Sequence, residues 1–182
     1  SREKKLKRKL IGSVGVLANL LSVRNIIIDA KNKNYKNILF LEDDIYLHNN
    51  FNSLFINRVS KLDNWKILYL GIQNNLDNKI IMNNLYDADI NSSGGWSFGI
   101  DCSVYDELIN ECNKRNLPFD SGPLYYMRSH YPTQCKVIYP NLIICDISTS
   151  SIRDDKRNLK KSYKNFKWNI EEYNICGLLS NL

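Results

Sequence analysis

The sequence predicts an α/β fold with a mostly parallel central sheet and helices on both sides. Three observations carry this expectation. Residues 13–30 and 50–62 space their apolar side chains as helices do. Residues 37–41 and 65–71 are short, nearly uninterrupted apolar runs, the pattern of core strands. These strands and helices alternate along the chain, as they do in α/β proteins.

Each element follows in order. Leu17, Leu20, Leu21, Ile27 and Ile28 form the apolar face of the first helix, broken only by Arg24. A polar connection, 31–36, leads into Asn37-Ile38-Leu39-Phe40-Leu41, which reads as a central strand buried on both faces. That run stops at Glu42-Asp43-Asp44, and the end of a strand is where α/β sheets bind ligands. Phe51, Leu54, Phe55 and Val59 form the stripe of the second helix, and Trp65 to Gly71 is a second core strand. Residues 72–93 are polar and Asn-rich, a long loop or a loop with short strands. Gly94 to Ile100 reads as a short strand and 101–112 as a helix carrying Val104, Tyr105, Leu108 and Ile109. Leu117-Pro118-Phe119-Asp120 turns into a short helix near 121–130, and 136–145 is strand-like with Pro140 interrupting it. Past Ser148 the chain becomes polar and basic. This predicts one domain over 1–150 and a basic, peripheral segment over 151–182.

Composition narrows the function classes. The chain has 182 residues, 43% of them hydrophobic, which suits one domain with a core. The net charge of +6 is concentrated at the two ends, in 2–9 and 153–167. The basic residues are not interleaved with an aromatic platform, and no zinc-finger spacing occurs, so no specific nucleic-acid partner is expected. The five cysteines form no CxxC pair; an odd number at wide spacing reads as reduced thiols in a cytoplasmic protein, with a secretory-pathway lumen as the alternative. No run of about 18 apolar residues is present, so no membrane span is expected. Neither a GxGxxG fingerprint nor a GxxxxGK[ST] phosphate loop occurs, which speaks against a dinucleotide enzyme or an ATPase.

The acidic triplet is the main chemical signal. Adjacent carboxylates raise one another's pKa, and a bound divalent cation with a preference for oxygen ligands removes that cost. In an extended segment Glu42 and Asp44 point the same way and Asp43 the other. Glu42 and Asp44 are therefore the candidate metal ligands, with Asp43 beside them for a ribose or a basic partner. The competing reading is a triplet that caps the next segment or faces water. Asp120 is a candidate base or a helix cap, and Asp101 a cap. Gly94 and Gly95 allow close backbone approach to a donor or form a tight turn. Trp96 is a sugar platform or packing; His48, His130 and Asp146 are minor candidates for completing a metal shell.

Several segments in order carry a resemblance. Phe40-Leu41-Glu42-Asp43-Asp44-Ile45, Gly12 and Gly15 before the first helix, Trp65 to Gly71, Gly95 to Ile100, Leu117-Pro118-Phe119-Asp120, and Pro140 to Ile144 with Ser151-Ile152-Arg153 resemble the glycosyltransferase family of bacterial lipooligosaccharide β-galactosyltransferases and collagen galactosyltransferases. The resemblance spans roughly 12–153. It implies a GT-A type fold and inverting, metal-dependent transfer of a hexose, galactose or glucose, from a UDP-sugar. Mn²⁺, or Mg²⁺ in its place, is the implied cofactor. The implied acceptors are a glycan, a lipooligosaccharide or hydroxylysine in a collagen-like protein. It also implies Asp120 as catalytic base, Glu42 and Asp44 on the metal, and Asp43, Gly94 and Gly95 on the donor. Two departures stand out: Asn19-Leu20 occupies the place of the family's Ser-His pair, and only a basic segment precedes Gly12 where the family has a nucleotide-binding strand. A binding protein without turnover and a basic nucleic-acid-binding domain are the alternative functions.

Overall fold

The computed structural model describes residues 11–60, 62–73, 84–147, 163–164, 166 and 168–175. Helix α1 (Val14–Asn32) starts at Ser13, whose hydroxyl accepts the Val16 N–H at 3.3 Å, a side-chain cap for one of the orphan donors of the first turn. It buries Leu20, Val23, Ile27 and Ala30 on one stripe. Strands β1 (Asn37–Leu41) and β2 (Ile45–Leu47) precede helix α2 (Phe51–Val59). Then come β3 (Ile67–Gln73), β4 (Leu85–Asp87), β5 (Ser93–Asp101), α3 (Tyr105–Asn113), α4 (Pro123–His130), β6 (Cys135–Ile138) and β7 (Ile143–Cys145).

Five strands form one sheet in the order β1-β5-β3-β6-β4, and β2 pairs with β7 in a second, small sheet. The expected mostly parallel sheet of the GT-A type is corrected here. Within the large sheet β1–β5, β5–β3 and β6–β4 are antiparallel, and only β3–β6 is parallel. The physical reason lies in the order of insertion. β1 and β3 point the same way with α2 between them, as the alternation suggests, but β5 arrives later and runs between them in the opposite sense.

The expected central position of 37–41 is corrected too. β1 is an edge strand, with Ile38 and Phe40 turned inward and Leu39 and Leu41 exposed at 45% and 43%. Burial on both faces falls instead to β3, whose first six residues are all buried, and to residues 96–100 of β5. The two faces of the sheet carry separate cores. One packs α1, α3 and α4 on Ile67, Tyr69, Phe98 and Ile100. The other packs Leu68, Leu70 and Trp96 against β7, α2 and the aromatics Tyr163, Trp168 and Tyr173. The basic runs 2–9 and 153–162 lie outside the described residues. Among the described residues no helix is long and apolar enough to cross a membrane.

Candidate active site

The acidic triplet sits where the chain passes from one sheet to the other. The Glu42 N–H still donates to the Trp96 carbonyl at 2.9 Å, just past the last β1–β5 register pair. Three residues later Ile45 pairs with Cys145 in the small sheet. Residues 43 and 44 bend between these anchors, so simple strand alternation does not govern where their side chains point.

The bend brings carboxylates from distant parts of the chain together. Burial pushes the Glu42 pKa up to about 7, and the neighbouring charges of Asp44, Asp120 and Asp43 add to the rise. A hydrogen bond from the Asn19 side chain on α1 opposes it. The Asp44 pKa is also raised, first by burial away from water and then by the charges of Asp43 and Asp146, while a backbone hydrogen bond lowers it. Asp146 follows β7, and its N–H donates to the Asp44 carbonyl at 2.6 Å. Like charges opposed across an antiparallel pair are destabilising. The Tyr46 hydroxyl donates to Asp146 Oδ2 at 3.1 Å and answers part of that cost. Burial and this hydrogen bond push the Tyr46 pKa up to about 12.

Asp120 approaches from the turn before α4. A Cβ on Gly95 would stand 3.6 Å from the Asp120 Cβ, so β5 and the turn touch here. The helix cap is Gly122, with Pro123 in the first turn, so Asp120 does not cap α4. Among the described residues its carboxylate takes no hydrogen bond, while its main-chain carbonyl accepts from Arg128 Nη2 at 3.2 Å. Gly94 has φ +107°, and a Cβ there would stand 1.9 Å from the Trp96 ring. Glycine is thus required at this position near the start of β5. Trp96 is buried; its Nε1 donates to the Ile143 carbonyl at 3.2 Å and its ring meets Trp168 edge-on. Asp101 caps a 3-10 turn by accepting from the Ser103 N–H at 2.9 Å.

The structure therefore brings Glu42, Asp43, Asp44, Asp120, Asp146 and Gly95 into one neighbourhood and adds Asn19 and Tyr46. It leaves the histidines elsewhere. His48 is buried against Tyr173, with Nε2 3.6 Å from Glu172, and His130 stacks on Tyr126 at the surface. Asn19 and Tyr46 have no signal in the chemistry of the triplet. Asn19 stands where the resembled family has the serine of its Ser-His pair, and Leu20 where it has the histidine. Asp146 has the same signal as the triplet, an acid directly after an apolar strand.

The manganese centre implied by the resemblance is corrected along with the fold. Among the described residues no group of three or more His, Cys, Asp or Glu could hold a metal ion. Neither the GT-A architecture nor the manganese site that the resemblance implies has support among the described residues. Comparison with protein-family models and with curated proteins gives no match.

Proposed function

We propose that the protein transfers a hexosyl group from a UDP-sugar to a hydroxyl acceptor on a glycan, a lipooligosaccharide or a collagen-like protein. The observation that carries this reading is the convergence of Glu42, Asp43, Asp44 and Asp120, drawn from two distant segments, with Glu42 raised to about 7. Functional sites are where like charges and burial are held together at a cost to stability. The order of the motifs over 12–153 supports the choice of sugar transfer over other cation-assisted chemistry.

In this reading Glu42 and Asp44 would hold the cation that accompanies the donor diphosphate. When bound, that cation would neutralise charge on the leaving diphosphate. Asp43 and the backbone at Gly94 and Gly95 face the donor. Asp120 accepts the acceptor hydroxyl's proton as general base. The acceptor oxygen forms its bond to the anomeric carbon from the face opposite the phosphate, the bond from that carbon to the phosphate oxygen breaks, and UDP leaves. The anomeric configuration inverts.

The test is release of UDP from UDP-galactose and UDP-glucose with Mg²⁺ or Mn²⁺, in the presence of simple hydroxyl acceptors. Acceptor-dependent release that disappears in Asp44→Ala is the expected result. Release by neither donor, from a folded chain that also binds neither, overturns the proposal.

A further inference from the structure

Arg128 lies on α4 and is 3% exposed. A guanidinium keeps its charge at any physiological pH, and a buried charge is costly unless it is paired and fully hydrogen-bonded. Among the described residues the ion pairs involve Lys31, Lys33, His48, Lys114 and Lys136, and Arg128 joins none of them. Its partners are neutral. Nη1 donates to the Tyr69 hydroxyl at 2.9 Å, and Nη2 donates to the Asp120 carbonyl at 3.2 Å. Nε is buried without a partner. A methionine would fill this space without the cost of burying charge. What the guanidinium adds is a rigid fork that spans from the fully buried Tyr69 on β3 to the main chain of Asp120.

We infer that Arg128 is the positioning residue of Asp120. It fastens the peptide of the 117–122 turn to the most buried strand of the sheet. Among the described residues the Asp120 carboxylate is then left without a hydrogen bond, beside Gly95 and within electrostatic range of Glu42. Tyr69 is the anchor of the arrangement. The inference rests on the reading of Asp120 as the base.

Two variants test it. Arg128→Lys keeps the charge and loses the fork; Tyr69→Phe keeps Arg128 and loses its anchor. Each should lower kcat by about 10- to 100-fold, as small misplacements of a catalytic group do, with the donor KM unchanged. In an Asp120→Asn background Arg128→Lys should cause no further loss, because it acts only through the carboxylate that is already gone. A structural role alone would give losses that multiply, and multiplying losses overturn the inference. So does a change in donor KM with kcat intact. A second readout needs no substrate. The Gly122 and Leu124 amides, bonded to the Pro118 and Phe119 carbonyls at 2.8 and 3.0 Å, should exchange with solvent faster in both variants. If the wild-type chain transfers no sugar, the functional reading fails and the exchange alone decides. Acceleration confined to this turn supports the positioning role, and unchanged exchange overturns it. If Arg128→Lys does not fold, Tyr69→Phe supplies the same measurements.

Discussion

Glu42 carries the clearest physical signature at the scale of single residues. Its folded pKa of about 7 lies above the ordinary 4.5, so the folded chain holds this proton more tightly than the unfolded one. Its contribution to stability therefore falls as pH rises from about 4.5 through about 7, and above that the full penalty of a buried anion among anions is present. In the proposed function a divalent cation would compete with the same proton. Its affinity should rise with pH up to about 7 and level off above it. Melting curves with and without Mg²⁺ should show a larger stabilisation at pH 8 than at pH 5, and Glu42→Gln should flatten that difference. Equal stabilisation at both pH values would place the cation elsewhere. Asp120 gives a second prediction. Since Gly122 is the cap of α4, Asp120→Asn and Asp120→Ala should both leave the melting temperature nearly unchanged. Both should slow transfer by about 10²–10⁴-fold, the usual cost of losing a general base. The acids were legible in the sequence because three carboxylates after an apolar run are conspicuous. Asn19, Tyr46 and Arg128 were not. Each is an ordinary residue on a helix or strand whose importance comes only from what lies opposite it in space.

At the scale of elements, most of the strands and helices follow from local pattern. α1, β3 and β5 fall where apolar spacing puts them, and Pro140 divides 136–145 into β6 and β7. Sheet order is different, because it depends on pairings between residues far apart. Nothing in 37–41 distinguishes a central strand from an edge strand with exposed leucines, and only the antiparallel entry of β5 decides it. Gly94 illustrates what local sequence does specify. Its positive φ and the Trp96 ring against it leave no room for a side chain. Gly94→Ala should destabilise the fold by at least about 2 kcal/mol, from left-handed strain plus overpacking. Thermal or denaturant unfolding reads this directly. A cost within about 0.5 kcal/mol, typical of a surface change, would show that the start of β5 relaxes freely.

Across the whole molecule, two cores on opposite faces of one sheet hold the acidic site between them. The α-helical core supplies Asn19 and the Asp120 turn, while the second core supplies β7 and Asp146. The second core depends on aromatics beyond residue 160, where composition alone suggests little packing. Trp168 meets Trp96 at 5.7 Å and Phe166 at 4.9 Å between ring centroids. Trp168→Ala should cost roughly 3–5 kcal/mol, the range for truncating a buried aromatic. It should also loosen Trp96 and the β5 segment beside Gly95. A cost below about 1 kcal/mol in denaturant unfolding would mean that these aromatics do not close the core.

In the proposed function Glu42, Asp44 and Asp120 form one site for a cation-accompanied nucleotide sugar. Calorimetric titration of UDP-galactose and UDP-glucose into the wild-type chain and into Glu42→Gln, Asp44→Ala and Asp120→Asn, each with and without Mg²⁺ or Mn²⁺, tests it most directly. The predicted result is donor binding that requires the cation, is lost in Asp44→Ala, is weakened in Glu42→Gln and persists in Asp120→Asn. Donor binding that ignores both the cation and the loss of Asp44, in folded proteins, would contradict the account.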